Sequence, residues 1–171
     1  MRFKLSLSER MILHNQHLIL SIIDQDNKKE HENAMKALQS GYEFDIDRLA
    51  DGFSDGFSED DCKEVREIME MNYQLEEAAR RHGLTYQFDG FDGNNESEQC
   101  AYARHCWQDR GEWEGLSGGR DKLNSHSRSM DRHRRMLNEW RRIEDELKTG
   151  GPWNGLTKEQ AERLIEAGNF R

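Results

Sequence analysis

The residues best suited to chemistry lie in one stretch, residues 88–96, with the sequence FDGFDGNNE. Oxygen-bearing side chains alternate at Asp92, Asn94 and Glu96, as the ligands of a calcium loop do. An EF-hand that began at Asp92 would need Gly at its sixth position and Glu at its twelfth, whereas the chain has Ser97 and Ala103. We therefore predict neither a metal site nor a bound cofactor, and expect a shaped polar turn.

This polar turn has two interpretations. In the first, it is a structural turn, with Phe88 and Phe91 buried and with Asn94 or Asn95 capping a helix that begins near Glu96. In the second, it contacts a ligand or a subunit, because the backbone N–H groups at a helix start can bind an anion. The ligand-binding residues of the second interpretation are Asp89, Asp92, Asn94, Asn95, Glu96, Asn124 and His126.

Asn124 and His126 join that set because they form a second polar cluster ahead of the longest helical pattern. A histidine can act as an acid, a base or a metal ligand near neutral pH, so His126 is also a candidate catalytic residue. The alternative is that Asn124 and Ser125 cap the helix that follows. Approach of Asp89 or Asp92 to His126 would favour a site.

The third candidate lies in a basic run that consists of Arg128, Arg132, Arg134, Arg135, Arg141 and Arg142. Arg128 and His133 have the spacing R-x-x-x-x-H, which resembles the Arg/His motif of HEPN ribonucleases, small all-helical enzymes that cleave RNA. His133 also falls on the apolar stripe of its helix, as a core histidine does, and the arginines fit a solvated helix face. No P-loop motif is present.

Helical patterns position all these residues. Ser6 and Glu9 have the spacing of a capping box, and the apolar stripe that follows contains Met11, Ile12, Leu18, Ile19, Ile22 and Ile23. Further helices are predicted over about 28–39 and from Ser58 to Gly83, with others after residues 96, 127 and 157, and residues 150–152 (GGP) end the long one. We predict an all-α fold, a single compact domain over 1–171 with about six helices in an irregular bundle.

The composition limits the partners. Hydrophobic residues make up 34% of the chain and charged residues 35%, which predicts a thin core. Together with Trp107, Trp113 and Trp153, which we predict to be exposed, this composition also predicts a homo-oligomer. The net charge of -9 disfavours nucleic-acid binding. No long apolar run or C-x-x-C pair occurs among the residues, so we expect a cytoplasmic protein that is not associated with the membrane.

Several stretches together resemble the YfbU family of uncharacterised bacterial proteins. They are residues 9–16 (ERMILHNQ), 65–71 (VREIMEM), 88–96, 123–126 (LNSH), 135–140 (RMLNEW) and 156–159 (LTKE). The resemblance implies an all-helical cytoplasmic protein that self-associates, and it transfers no catalytic residue. Our leading hypothesis is a ligand-binding or regulatory interaction module without catalysis, which a small ligand or a protein partner would engage. The alternative is a HEPN-like ribonuclease, or another phosphodiester-cleaving enzyme, that uses Arg128 with His133 or His126 with an Asp.

Overall fold

The computed structural model of the chain describes residues 4–54, 56–116, 123–148 and 153–169. Within those ranges the regular structure is seven α-helices without a strand, which confirms the predicted all-α fold. The residues cluster into two compact units, Met1–Asp55 and Gly56–Arg171, here called the N-terminal and C-terminal units. That they form one domain stays a prediction. The predicted stop at residues 150–152 lies outside the described residues.

The N-terminal unit consists of α1 (Leu7–Ile23), α2 (Lys28–Ser40) and α3 (Glu43–Arg48). The predicted capping box is confirmed, since the backbone N–H of Ser6 donates to Oε2 of Glu9 at 2.7 Å and the Ser6 side chain accepts from the Glu9 backbone. The small core of this unit consists of Ala37, Leu38 and Ile46, with Leu5, Leu13 and Leu49 packed against it.

The apolar side of α1 faces outward. Ser21 is the one residue of α1 that is buried, while Leu13 is half-buried beside the α2 core. Seven large apolar side chains are instead between 46% and 71% exposed, and we call them the α1 stripe: Leu7, Met11, Ile12, Leu18, Ile19, Ile22 and Ile23. The aromatic side chains of Phe44 and Phe53 are also exposed.

The C-terminal unit consists of α4 (Glu59–His82), α5 (Ser97–Arg104), a π-helical turn (His105–Asp109), α6 (Met130–Lys148) and α7 (Lys158–Asn169). Its core is built on the apolar face of α4, against which α5, α6 and α7 pack. The helices bring together Val65, Ile68, Met69, Met71, Leu75, Met136, Leu137, Trp140, Ile143 and Leu164, all of them buried.

Local signals fix the ends of α4. Ser58 accepts a hydrogen bond from the backbone N–H of Asp61 at 3.1 Å, and Gly83 ends the helix in the left-handed conformation with φ of 68°, as predicted.

The interpretation of Trp107 as exposed was wrong: only 5% of its surface is accessible, because the π-helical turn directs it into the core.

Ion pairs join the surfaces of α4 and α6. Arg134 donates to both carboxylate oxygens of Glu64, at 2.8 and 2.9 Å, and Arg141 contacts Glu67 at 2.6 Å. Part of the basic run therefore neutralises acids of this unit, in keeping with a solvated helix face.

Candidate functional site

The polar turn, residues 88–96, packs against the loop that precedes α6, residues 123–129. Two backbone hydrogen bonds of 2.9 Å join them, from Phe91 N to Leu123 O and from Ser125 N to Phe91 O. Gly90 allows this close approach: its φ is +87°, and a Cβ atom there would lie 2.3 Å from the Leu123 carbonyl oxygen. The tertiary fold thus brings the two predicted polar clusters together.

Glu96 is the centre of the contact. One oxygen, Oε1, accepts hydrogen bonds of 2.8 Å from the backbone N–H groups of Ser129 and Met130. The other, Oε2, accepts from Asp92 N at 2.8 Å and from the Ser129 hydroxyl at 2.7 Å. The carboxylate therefore caps α6 from a different segment of the chain, where the positive end of the helix dipole also favours an anion.

Hydrogen bonding keeps this carboxylate ionised. Burial raises the pKa of Glu96, but the donors from Ser129, Asp92 and Met130 lower it more, so its pKa lies below the ordinary value.

This arrangement corrects two predictions. The N-cap position of α5 is Glu96 without a side-chain cap, so neither Asn94 nor Asn95 caps that helix. Asn124 does not cap α6, whose first N–H groups are occupied by Glu96.

Asn124 instead stabilises the polar turn through its side-chain amide. Its Oδ1 atom accepts hydrogen bonds of 3.0 Å from Gly93 N and from His126 N, so one amide oxygen holds the polar turn and the following loop together. His126 has a positive φ of 54° and is exposed. Among the residues that the structure describes, no hydrogen bond or ion pair joins the His126 ring to Asp89 or Asp92.

The two aspartates of the turn have different roles. Asp92 is 2% exposed and accepts hydrogen bonds within the turn from Asn95 and Asn94, which lower its pKa. Asp89 forms a 2.6 Å ion pair with Arg132 of α6. Asn94 and Asn95 are exposed on the turn. Both aspartates therefore already have partners within the chain.

His133 lies in the core beneath the turn. Its ring packs between Phe88 and Phe91, at centroid distances of 5.5 and 5.3 Å, and Nε2 lies 2.9 Å from the Gly90 carbonyl oxygen. Burial lowers the pKa of His133 to about 4, so at pH 7 the ring is neutral and Nε2 carries the proton that Gly90 O accepts. Nδ1 is buried, and none of the described residues forms a hydrogen bond with it.

Arg128 and His133 therefore occupy different environments. Arg128 is exposed, and its charge contributes to the lowered pKa of Asp92. His133 is fully buried. A substrate phosphate that reached Arg128 at the surface would not meet the imidazole, because Phe88 and Phe91 pack against that ring.

Two further buried polar side chains were missed by the sequence analysis. Glu76 accepts a 2.8 Å hydrogen bond from Phe88 N at the start of the turn. Asn72, also on α4, donates to Ile68 O at 2.6 Å and accepts from the Tyr86 hydroxyl. The signal that could have found them is the position of Asn72 and Glu76, four residues apart on the otherwise apolar side of α4.

What the cluster can do chemically follows from these contacts. The polar side chains of the cluster converge, and each is used to hold the turn, the loop and α6 together. They are Asp89, Asp92, Glu96, Asn124 and His133. Among the described residues, no three His, Cys, Asp or Glu side chains lie together as a metal centre would need. No helix in the described ranges is long and apolar enough to cross a membrane.

Comparison with known proteins places the chain in a family. A family model described as the YfbU domain matches residues 3–151. The chain belongs to the YfbU family. The UPF0304 protein MJECS11 of Methanocaldococcus jannaschii is 30% identical over 149 residues, which cover 80% of this chain and 87% of that protein. The YfbU match includes the whole polar cluster and ends before Trp153 and α7. The name UPF0304 states no activity, so the function has to be argued from geometry.

Proposed function

We propose that this YfbU protein is a self-associating interaction module, of a regulatory kind, in which the α1 stripe is the interface between two copies. The observation that carries the proposal is the outward orientation of seven large apolar side chains on one helix. Monomeric proteins rarely expose a contiguous apolar patch larger than roughly 300–600 Å². A helix of 17 residues presents its stripe over a length of about 25 Å.

The order of residues in α1 favours a second copy over an unrelated partner. Asn15 is the central residue of the helix, and apolar residues lie three, four and eight positions to either side of it: Ile12 and Leu18, Met11 and Ile19, Leu7 and Ile23. A two-fold axis brings each surface against itself. If two α1 helices packed antiparallel across Asn15, each of these six apolar residues would meet an apolar residue, Ile22 would meet Ser8, and the two Asn15 amides would face each other.

Burial of the two stripes is comparable in energy to the cost of association. Removing one of these half-exposed side chains from water contributes about 1 kcal/mol. The stripes of two copies together contribute on the order of 10 kcal/mol, within the range of about 4–15 kcal/mol that is estimated for the cost of association. A paired Asn15 at the centre would set the register, as a single buried Asn does in coiled coils.

The first test is the oligomeric state of Ile19→Glu at micromolar concentration, measured by sedimentation velocity. Ile19 is 58% exposed, so a charge there leaves the fold intact while it opposes burial of the stripe. We expect a dimer for the natural protein and a monomer for the variant. Asn33→Glu, at an exposed position of α2, is the control and should remain dimeric. A monomeric natural protein would overturn the proposal.

A charge exchange tests the antiparallel register. Asn15→Asp and Asn15→Lys each place like charges opposite each other, so either variant alone should dimerise at least about tenfold more weakly. An equimolar mixture should restore dimers, each containing one Asp and one Lys, which native mass spectrometry resolves. Weakening without rescue in the mixture would refute the register, because Asn15 would not then face its own copy.

The polar cluster supports this non-enzymatic function. Its carboxylates hold the N-terminus of α6, and nothing in its geometry favours the ribonuclease hypothesis.

A cytoplasmic location belongs to the same proposal, since Cys62, Cys100 and Cys106 are unpaired thiols, as is usual in a reducing compartment.

A further inference from the structure

An open groove of about 350 Å³ lies on the C-terminal unit, apart from the polar cluster. It is lined by Glu70 and Gln74 of α4, by Trp140 and Glu144 of α6, and by Trp153. None of the described residues that line it is basic. The groove thus combines two indole rings with two carboxylates.

The two indole rings form adjacent walls. Their centroids are 6.1 Å apart and their planes meet at 78°. Trp140 is 4% exposed and belongs to the core, whereas Trp153 is 45% exposed. The face of an indole ring carries a negative potential and attracts a cation within about 6 Å. In this edge-to-face corner the inner ring is almost covered, so the indole face accessible to one small cationic group is that of Trp153.

The carboxylate of Glu70 is fixed beside this corner. One of its oxygens accepts a 2.8 Å hydrogen bond from Gln74 Nε2, and the other accepts one of 2.8 Å from Trp113 Nε1. Both donors are neutral, so they orient the carboxylate without cancelling its charge. Glu144 adds a second acidic side chain on the opposite helix.

We propose that this groove binds a small organic cation with a quaternary ammonium group. Such a group is weakly hydrated, so it loses little when it moves from water onto an aromatic face, and indole is the ring that attracts it most strongly. The Glu70 carboxylate complements its charge from the rim. Trp153 lies beyond the residues that match the YfbU model, so the outer wall is supplied by the C-terminal part of this chain.

The test compares choline with 3,3-dimethylbutan-1-ol, its neutral analogue in which carbon replaces nitrogen. The two molecules have the same shape, so a purely apolar groove would bind them equally. Isothermal titration calorimetry of the full chain should show saturable choline binding in the millimolar range and at least about tenfold weaker binding of the alcohol. Equal affinities, or no saturable choline binding, would overturn the proposal.

Two variants assign the binding to the groove. Trp153→Leu keeps an apolar side chain but removes the π face, and it should weaken choline binding about tenfold without changing the weak binding of the alcohol. Glu70→Gln removes the charge of the fixed carboxylate at almost constant shape and should also weaken choline binding. Glu98→Gln, at an exposed position of α5, is the control and should bind as the natural protein does. Unchanged choline affinity in Trp153→Leu would refute this site.

Discussion

At the residue scale, Glu96 has the most consequences for the fold. It contacts Ser129 across a separation of 33 residues and thereby satisfies two of the N–H groups that every helix start leaves without an intrahelical partner. Its other oxygen closes the polar turn through Asp92 N. A single buried carboxylate therefore connects the turn, the loop and α6, and each of its four hydrogen bonds has a donor that would otherwise be buried without an acceptor.

We expect Glu96→Gln to lower the free energy of unfolding by about 1–3 kcal/mol at pH 7, because the amide can accept at only one atom and places an N–H₂ group against buried donors. Urea unfolding of both proteins measures the difference. Glu98→Gln, which changes an exposed acid one residue beyond Ser97, should have almost no effect.

The same residue predicts a pH dependence. The pKa of Glu96 in the folded state lies below its ordinary value of 4.5, so the folded protein binds this proton less readily than the unfolded chain does. Its contribution is complete above pH 4.5 and is lost as the pH falls from there through the folded pKa. The stability difference between the natural protein and Glu96→Gln should shrink over that range, and a difference that grew on acidification would contradict the assignment.

At the element scale, the decisive contact is the one between the polar turn and the loop before α6. Besides the side chains of Glu96 and Asn124, it is made by the backbone of Phe91 with Leu123 and Ser125. The approach is possible only with a residue that lacks a Cβ atom at position 90. The α1 stripe presents the opposite situation, because it is an apolar surface that the other helices of its own unit do not cover.

Gly90→Ala should therefore cost about 2–4 kcal/mol of stability, because the added methyl group collides with the Leu123 backbone and the left-handed φ is strained. Gly83→Ala is the matched control: its φ is also positive, at +68°, but no atom lies within 4 Å of the added Cβ. The control should lose only about 1 kcal/mol. Thermal unfolding compares the two, and equal losses would show that the close approach is unimportant.

At the scale of the whole molecule, the chain divides between residues 55 and 56. α3 ends at Arg48 and α4 begins at Glu59. In the non-helical connection between them, Phe53 is 84% exposed. Proteases need an accessible, extended segment, and such connections are where they cut first.

Brief treatment with chymotrypsin should therefore cleave first after Phe53 and release fragments 1–53 and 54–171, which intact-mass analysis identifies. Phe53→Ser should remove this product and leave the protein largely uncut over the same time. Phe88 and Phe91 are buried and should be cut late. First cleavage in the polar turn would mean that its network of hydrogen bonds is weaker than we infer.

The sequence by itself determined the helices and most of their ends. Periodicity and caps are local properties, so Ser6 with Glu9, Ser58 and Gly83 could be assigned without any knowledge of distant residues. The same reasoning placed His133 on an apolar stripe. It also identified the polar turn as a place of unusual structure, because its glycines and oxygen-bearing side chains are concentrated in nine positions.

Only the tertiary structure decided what those residues contact. The cap of α6 is Glu96 and not Asn124, since the acceptor comes from a segment that only folding brings near. Periodicity revealed the stripe of α1 but not whether α1 would bury it, because that depends on which side of the helix α2 packs against. The Trp140 and Trp153 corner likewise requires two segments to meet. Local chemistry determines where a helix forms and ends, whereas the residues that each side chain contacts depend on long-range packing.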